Sequence, residues 1–358
     1  MNRYSRHIQL SEVGSKGQDQ ISNAKVLVVG AGGLGCPVLQ YLVAAGVGTL
    51  GIIDFDVVEE SNLQRQVLFG TSSLGANKAI AAKKRLEDLN PTITIIAYQA
   101  RLTSTNALEL FKDYDLIVDG TDNFATRYLI NDASILCDKP FVYGAIYKFE
   151  GQVSVFNYNN GPSYRCLFPT LPNVTSAINC SEIGVLGVLP GIIGTMMANE
   201  VLKMILGFEQ VLSGKLLCYS SRTAETTILK INKVQSNFDT TLIQKELALD
   251  QYEDDFCGDP NMEISSEDLV QLGDVQFIDV REHHELPKFE LENCVQIPLA
   301  TLNKNIDKLD LTKPLVVFCQ TGIRSLKAVE QLRQRNTNTS FSLKGGVQTL
   351  IEELNIKT

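Results

Sequence analysis

The front of the chain alternates short apolar runs with longer segments in which apolar residues recur every three or four positions. The runs have the length and composition of buried strands, and the segments between them have the helical period. The runs are "KVLVVG", "TLGIID", "TITIIAY" and "DLIVDGT". Strands that alternate with helices are typical of a parallel sheet covered by helices. The pattern therefore predicts an α/β fold with a mostly parallel sheet.

Later segments depart from this alternation. Four apolar runs predict further strands, whereas residues 158–183 are rich in Pro, Asn and Ser and predict a long loop. Residues 232–262 mix polar and acidic stretches, and beyond them the alternation resumes with "VQFIDVRE", "VVFCQTG" and "TSFSLKGG". We therefore predict a front domain at 1–231, a linker at 232–262 and a smaller α/β domain at 263–358.

Composition and charge narrow the class of protein. The net charge is -9, with the acidic excess concentrated in residues 250–292, so we expect no nucleic-acid partner. No apolar run reaches the roughly 18 residues of a membrane span. The charged N-terminus lacks the apolar core of a signal peptide, which predicts a cytoplasmic protein. None of the 8 cysteines stands in a C-x-x-C pair, which argues against a disulfide framework and a self-contained zinc finger.

The stretch "VLVVGAGGLGCP" predicts a nucleotide-binding turn. It places Gly30, Gly32 and Gly35 in the G-x-G-x-x-G spacing, with Gly33 between them, after a strand and before a helix. Glycine lets the backbone turn tightly and approach a phosphate, and the helix N-terminus adds free N–H groups. Asp54 ends the next strand, where a carboxylate accepts hydrogen bonds from ribose hydroxyls. These features alone also fit an NAD-dependent dehydrogenase.

The residues that follow favour a triphosphate over a nicotinamide. Asn62, Arg65 and Gln66 lie within "DFDVVEESNLQRQ", and Lys78 lies in the next helical segment. Fixed cations and amides suit phosphate chemistry, because its catalysis is largely positioning and charge neutralisation. The sequence therefore favours ATP as the nucleotide.

Two carboxylates, Asp119 and Asp122, follow the strand "DLIVDGT". They come at the carboxyl end of this strand, above the predicted crevice, where a carboxylate is well placed to bind Mg²⁺. Asp122 also precedes a helical pattern, so a helix N-cap or a turn residue is the alternative interpretation.

The order of motifs in the front domain resembles the MoeB/ThiF family, bacterial relatives of ubiquitin-activating enzymes. The resemblance covers about residues 1–231 and rests on "RYSRHIQL", "GAGGLGCP", "DFDVVEESNLQRQ", "GANK", "DGTDNFATRYLIND", "GQVSVF" and "GVLGVLPGIIG". It implies a Rossmann-like adenylating domain. Such a domain uses ATP and Mg²⁺ to adenylate the C-terminal Gly-Gly carboxylate of a ubiquitin-like sulfur carrier protein.

The same resemblance implies roles for residues at matching positions. The nucleotide contacts would be Asp54 for the ribose, Arg65 and Lys78 for the phosphates, Asp122 for the metal, and Asn62 and Gln66 for neighbouring contacts. Arg6 would reach as an arginine finger into the partner subunit of a homodimer. Cys180 corresponds to a cysteine that some members use for a covalent step with the carrier, and a packing role is the alternative.

One departure from the family concerns zinc. Many members bind a structural zinc with two C-x-x-C pairs. This chain has Ser163 at the first ligand position, retains Cys166, and supplies no second pair near the end of the front domain. A structural zinc site needs four ligands. We therefore predict no zinc site, and we expect Cys166 to be a buried structural thiol.

The stretch "VVFCQTGIRSLKAVEQL" places a cysteine where a strand ends and a helix begins. Backbone N–H groups in such a loop, the helix dipole and the charge of Arg324 would stabilise the thiolate of Cys319. The loop therefore predicts a sulfur nucleophile. A phosphatase-like loop is the closest rival, although the spacing from Cys319 to Arg324 is C-x4-R rather than C-x5-R. A metal role is not expected, because no second cysteine is spaced to help.

Together with "QFIDVREHHE" and "SLKGGVQTL", this loop resembles rhodanese domains over roughly residues 263–356. The resemblance implies a persulfide on Cys319 and mainly structural roles for Asp279 and Arg281. The two resemblances together predict an adenylyltransferase and sulfurtransferase, loaded by a persulfide donor. The Cys319 persulfide would attack the acyl-adenylate, and a disulfide with Cys180 would release a thiocarboxylate.

Two alternatives to this enzyme stay open. A degenerate front domain would only dock a carrier beside an active rhodanese. An NAD-dependent dehydrogenase would leave Arg65, Lys78 and the back domain without a role. The pathway also stays open, because carriers for molybdopterin, thiamine and tRNA thiolation share nearly the same tail.

Overall fold

The structure is a computed structural model that describes residues 3–170, 184–244, 262–289, 291, 293–320, 322–333 and 339–352. Its chain divides into two compact units, Met1–Glu253 and Asp254–Thr358. Each unit is built around its own sheet.

The front unit contains an eight-stranded sheet with the order β3-β2-β1-β4-β5-β6-β7-β8. Strands β1 to β5 pair in parallel, and the last three pairings, from β5 to β8, are antiparallel. The strands are β1 Lys25–Val29, β2 Thr49–Ile53, β3 Thr94–Tyr98, β4 Leu116–Asp119, β5 Phe141–Tyr147, β6 Glu150–Phe156, β7 Lys215–Ser220 and β8 Thr226–Lys230. The prediction of a mostly parallel α/β sheet is confirmed.

Helices cover the front sheet. They are Ser5–Ile8, Gly14–Asn23, Gly35–Ala45, Lys78–Leu89, Ser104–Lys112, Phe124–Leu136, Tyr164–Leu167, Val188–Leu206 and Gln235–Gln244, with 3-10 turns at Glu60–Asn62 and Thr71–Ser73. Strands β1 and β4 lie at the centre of the sheet and are almost wholly buried. Such continuous apolar runs are expected where helices cover both faces of a parallel sheet.

Two apolar helices, Gly35–Ala45 and Val188–Leu206, pack closely beside the central strands. A Cβ added at Gly194 would lie 2.4 Å from Pro37, so glycine is required at this contact. Among the described residues, Val188–Leu206 is the one helix long and apolar enough to cross a membrane, and half of its most apolar window is buried inside the fold. It also contacts β5 and β6, which is the packing of a core helix.

The back unit contains a five-stranded parallel sheet with the order β11-β10-β12-β13-β9. The strands are β9 Glu263–Ile264, β10 Gln276–Asp279, β11 Cys294–Gln296, β12 Leu315–Phe318 and β13 Ser340–Leu343. Its helices are Ser266–Leu272, Ile323–Arg333 and Val347–Glu352, with 3-10 turns at Leu299–Lys304 and Ile306–Lys308. Central β12 is fully buried, and its alternate side chains enter separate apolar clusters on the two faces.

The segment predicted as a linker begins with structure of its own. Helix Gln235–Gln244 lies in the front unit, and Asn237 Nδ2 donates a 2.9 Å hydrogen bond to the carbonyl of Arg165. Residues 245–261, and residues 171–183 of the predicted long loop, lie outside the described residues. The domain limits stay a prediction.

Candidate active sites

The glycine-rich turn lies where the order of the front sheet reverses. Strands β1 and β4 are neighbours, and the chain continues outward from them in opposite directions, which opens a crevice at their carboxyl ends. Gly30 follows β1 with φ +91°, and an added Cβ would lie 2.9 Å from the carbonyl oxygen of Gly120. Glycine is therefore required where the two turns meet.

The other glycines of the turn have different surroundings. A Cβ at Gly35 would lie 1.9 Å from the Gly30 carbonyl oxygen, and one at Gly33 would lie 3.1 Å from Pro190. Gly32 is more open, because the nearest atom to an added Cβ is Gln66 Nε2 at 3.9 Å. Glycine is therefore required at position 35 for the close packing of the turn, whereas the absence of a side chain at Gly32 leaves backbone accessible beside Gln66.

Asp54 ends β2 with its carboxylate fixed by backbone donors. Its Oδ2 accepts a 2.7 Å bond from Ala31 N–H, and its Oδ1 accepts a 2.8 Å bond from Asp56 N–H. Burial raises the pKa of Asp54, and these two bonds oppose the rise. The structure thus places the predicted ribose carboxylate directly against the glycine turn.

The segment after Asp54 contains a buried polar atom without a partner. Asn62 and Gln66 are buried, and Gln66 Oε1 has no hydrogen-bond partner among the residues that the structure describes. Arg65 Nη1 donates a 3.0 Å bond to the carbonyl of Ser61. A buried carbonyl oxygen without a donor is costly, so this acceptor, on the side chain whose Nε2 approaches Gly32, fits a site for a ligand with donor groups.

Lys78 is the first residue of helix Lys78–Leu89, which Asn77 caps through a 3.2 Å bond from Ile80 N–H. The buried Lys78 Nζ lies 3.1 Å from Asp56 Oδ2, and Asp56 is about half exposed. Asn77 Nδ2 also donates to the carbonyls of Asp54 and Asp56 at 3.0 and 3.1 Å. The sequence analysis missed Asp56 and Asn77, although "DFD" and the capping position before Lys78 are both visible in the sequence.

The turn after β4 carries the two predicted carboxylates. Asp119 is fully buried, and its Oδ1 accepts bonds from Thr121 N–H at 3.0 Å and Thr121 Oγ1 at 2.6 Å. Asp122 is exposed. The N-cap of the following helix is Asn123, whose Oδ1 accepts a 2.8 Å bond from Thr126 N–H, so the N-cap interpretation of Asp122 is wrong.

Arg127 contacts two residues of this turn. It was not identified from the sequence. Its Nη2 donates a 3.0 Å bond to the Thr121 carbonyl, and its Nε lies 4.0 Å from Asp119 Oδ2. Within the described part of the chain, neither Arg127 Nε nor Asp119 Oδ2 has a hydrogen-bond partner. Burial raises the pKa of Asp119, and the Arg127 charge opposes the rise. The pair therefore fixes the backbone that presents Asp122.

Arg6 and Cys180 are the other two residues predicted to act in the front domain. Arg6 is exposed on helix Ser5–Ile8, where its Nη1 lies 3.4 Å from Gln9 Oε1. Cys180 lies outside the described residues.

Beside Arg65, an apolar groove of about 550 Å³ is lined by Pro37, Val67, Gly187, Val188, Gly191, Ile192, Thr195 and Met196.

Cys166 is partly rather than fully buried, which corrects the expectation from the sequence. Its Sγ lies 3.4 Å from Ser163 Oγ and accepts a 3.3 Å bond from Val234 N–H. Within the part of the chain that the structure describes, no three His, Cys, Asp or Glu residues come together as a metal site. Cys166 thus joins a short helix to the segment after β8.

In the back unit, Cys319 directly follows β12 and is only 1% exposed. Gly322 N–H donates a 3.1 Å bond to Cys319 Sγ, and Ser325 Oγ lies 3.6 Å from the same atom. Gly322 has φ +98°, a conformation that L residues rarely adopt. The loop therefore brings a backbone donor to the sulfur, and its role in stabilising a thiolate stays a prediction.

Neighbouring backbone holds this loop in shape. Val347 N–H donates a 3.0 Å bond to the Cys319 carbonyl, and a Cβ at Gly346 would lie 2.3 Å from that carbonyl oxygen. Ser325 Oγ donates 2.8 Å to the Gly322 carbonyl and lies 2.8 Å from Ser342 Oγ. The stretch "SLKGG" thus supports the cysteine loop from β13.

Carboxylates pair with both arginines near the loop. Arg324 donates to Glu285 Oε1 and Oε2 at 2.6 and 2.7 Å, and this bond lowers the pKa of Glu285 to about 2. The fully buried Arg281 binds Asp279 through Nε and Nη2 and donates a 3.0 Å bond to the Pro287 carbonyl. Glu285 was missed in the sequence analysis, because its partner lies 39 positions away.

A glycine turn at the reversal point of a parallel sheet defines a nucleotide-binding α/β domain, and the back unit adds a domain with a buried cysteine loop. The ThiF family matches residues 4–240, and the rhodanese-like domain matches residues 266–353. The chain belongs to the ThiF family and carries a rhodanese-like domain. The predicted family and domain combination are confirmed.

Named relatives and solved structures agree with this assignment. The chain is 40% identical to the probable adenylyltransferase/sulfurtransferase MoeZ of Mycobacterium tuberculosis, over 96% of this chain and 91% of the relative. It is 52% identical to the sulfur carrier protein adenylyltransferase of Thermus thermophilus, over 65% of this chain and 88% of the relative. The crystal structure of E. coli MccB with MccA-N7isoASN has a TM-score of 0.58 at 23% identity, covering 65% of this chain and 73% of that chain, which shows the shared fold.

Proposed function

We propose that the chain is an ATP-dependent adenylyltransferase for a ubiquitin-like sulfur carrier and a sulfurtransferase that uses Cys319. The observation that carries the proposal is the pair of sites on one chain. One is a crevice with Asp54 and Lys78 beside a glycine turn, and the other is a loop with Gly322 N–H aimed at Cys319 Sγ. Two relatives that match nearly the whole chain are named as adenylyltransferase and sulfurtransferase, one of them as a probable one.

The first step activates a carboxylate. An oxygen of the carrier's C-terminal Gly-Gly carboxylate attacks the α-phosphorus of ATP, the new P–O bond forms, and pyrophosphate leaves with the electron pair. In the proposal Asp54 holds the ribose, Arg65 and Lys78 offset phosphate charge, and Gln66 Oε1 accepts a bond from the substrate. The exposed Asp122 carboxylate suits Mg²⁺, which supplies charge neutralisation when bound.

The second step delivers sulfur. The terminal sulfur of a Cys319 persulfide attacks the carrier carbonyl, AMP leaves, and the carrier becomes linked to Cys319 through an acyl disulfide. The thiolate of Cys180 then attacks the Cys319 sulfur, which breaks the S–S bond, releases the thiocarboxylate and leaves a disulfide between the two cysteines. This role for Cys180 stays a proposal.

A homodimer is part of the proposal. The groove beside Arg65 exposes Val67 and Val188, which are 65% and 58% accessible, and apolar patches of this kind mark association surfaces. A second copy would cover it, and Arg6 would act on the partner's crevice. The proposed domain limits are 1–231, 232–262 and 263–358, and the proposed location is the cytoplasm.

Carrier-dependent pyrophosphate release tests the front site. The intact chain is mixed with ATP, Mg²⁺ and a carrier ending in Gly-Gly, and with the same carrier lacking the last glycine as the control. Release with the first carrier alone supports adenylation. No release with either carrier supports the docking-module alternative, and NAD reduction would support the dehydrogenase. Mass spectrometry of candidate carriers then identifies which one gains sulfur.

A further inference from the structure

Two arginines flank the cysteine loop, and their exposure differs. Arg281 is fully buried and paired with Asp279, so it cannot meet a reactant directly. Arg324 and Glu285 keep side-chain exposures of 23% and 21% while forming two short hydrogen bonds. The Arg324–Glu285 pair is therefore the one of these two that a molecule entering the loop encounters.

Arg324 is the neighbour in sequence of a residue that contacts the reactive sulfur. Arg324 immediately precedes Ser325, whose Oγ lies 3.6 Å from Cys319 Sγ, and adjacent Cα atoms are only about 3.8 Å apart. An unpaired guanidinium at this position would attract anions across a partly screened distance. The two-point contact with Glu285 instead brings an opposite charge within hydrogen-bond distance of both terminal nitrogens.

We propose that Glu285 is a specificity-determining residue that sets the charge selectivity of the Cys319 loop. By offsetting the Arg324 charge, it removes the preference for small anionic reactants that an unpaired arginine would impose. Backbone donation from Gly322 N–H then stabilises the sulfur without also favouring anionic reactants. For sulfur donors the inference rests on the proposed function, whereas for simple alkylating reagents it does not.

The first test uses two reagents that differ mainly in charge. The full chain is alkylated with anionic iodoacetate and with neutral iodoacetamide, and the rate at Cys319 is read from its proteolytic peptide by mass spectrometry. The variants are Glu285→Gln, which keeps a hydrogen-bonding amide without the charge, and Arg324→Gln, which removes the positive charge and leaves Glu285 with the 2.7 Å hydrogen bond from Glu282 N–H. Glu282→Gln is the matched control, because it removes an exposed carboxylate from the same segment.

The ratio of iodoacetate to iodoacetamide rates should move in opposite directions in the two variants. We expect a rise of about fivefold in Glu285→Gln and a fall of about fivefold in Arg324→Gln, as expected for one partly screened charge. The double variant Glu285→Gln/Arg324→Gln and the Glu282→Gln control should stay within about twofold of the unmodified protein. Equal ratios in Glu285→Gln and Glu282→Gln would overturn the inference. It would also be overturned if the ratio of the double variant differed from that of the unmodified protein as much as the ratio of either single variant does.

The second test uses thiosulfate, a dianionic donor. The Cys319 thiolate attacks its outer sulfur, the S–S bond of thiosulfate breaks, and sulfite leaves with the electron pair. Glu285→Gln should lower the KM for thiosulfate about fivefold and leave kcat nearly unchanged, because binding of the anion is what changes. A shifted alkylation ratio without any thiosulfate turnover would support the charge inference and count against the proposed sulfurtransferase. An unshifted ratio with normal turnover would contradict the charge inference and support the proposed sulfurtransferase.

Discussion

Replacing Gly322 by alanine separates the backbone donor of the cysteine loop from the stability of its domain. Gly322 has φ +98°, which costs an L residue roughly 1–2 kcal/mol. The added Cβ would find ordinary contacts, with Gly345 N at 3.7 Å and the Leu343 carbonyl oxygen at 3.8 Å. The expected cost is therefore backbone strain, which the loop relieves by turning the Gly322 N–H away from Cys319 Sγ.

The size of the effect follows from the lost hydrogen bond. The Gly322 N–H lies 3.1 Å from the sulfur, and a bond to a charged group contributes about 1.5–3 kcal/mol. Since about 1.4 kcal/mol is a factor of ten, the thiolate reaction should slow at least about tenfold. The reaction measured is alkylation of Cys319 by iodoacetamide, together with thiosulfate-to-cyanide transfer.

Gly273→Ala provides the matched control in the same domain. Gly273 also has a positive φ of +73°, and an added Cβ would meet no atom of the described residues within 4 Å. Urea unfolding should show both variants destabilised, by about 1–2 kcal/mol for Gly322→Ala. Only Gly322→Ala should react more slowly at Cys319. Equal reaction rates in the two variants at matched folded fractions would refute the role assigned to the Gly322 N–H.

Three further predictions concern charged groups. Lys78→Ala should lower carrier-dependent pyrophosphate release about 100-fold, as expected for a lost charge at a phosphate, whereas Lys83→Ala, at a partly exposed position of the same helix, should match the unmodified protein. Asp122→Ala should abolish that release and keep thiosulfate-to-cyanide transfer by Cys319; loss of both would indicate misfolding. Because Arg324 lowers the pKa of Glu285 from 4.5 to about 2, the stability from this pair is complete above pH 4.5 and is lost as the pH falls toward 2. The urea midpoint of the back domain should therefore fall more steeply below pH 5 than in Glu285→Gln, and parallel pH profiles would contradict this.

Local sequence patterns were sufficient to predict the fold and the residues at the ends of the strands. The period of the apolar runs and the glycine spacing depend on neighbours in the chain, so they placed Gly30 after β1, Asp54 after β2 and Cys319 after β12. Each of these residues lies at the carboxyl end of a parallel strand, where the chain leaves the sheet. Their positions therefore needed no knowledge of the tertiary packing.

Partners distant in the chain could not be predicted in this way. Lys78 meets Asp56 across 22 positions, and Arg324 meets Glu285 across 39. Such pairs depend on which loops the folded sheet brings together, and a single sequence carries no local signal for that choice. The same limit applies to Cys166, whose expected burial depended on how a short surface helix packs.

The pairing of charges distinguishes the two sites chemically. The crevice beside the glycine turn has a buried lysine whose partner, Asp56, is about half exposed to solvent, so an entering polyanion competes with water as well as with that carboxylate. In the cysteine loop, each nearby arginine instead holds a carboxylate through two hydrogen bonds, and a neutral backbone N–H contacts the sulfur. Arginine pairs of this geometry are strong, so they resist displacement by a small anion. The side-chain charges therefore agree with the proposed phosphate binding in the first site and with the proposed sulfur chemistry in the second.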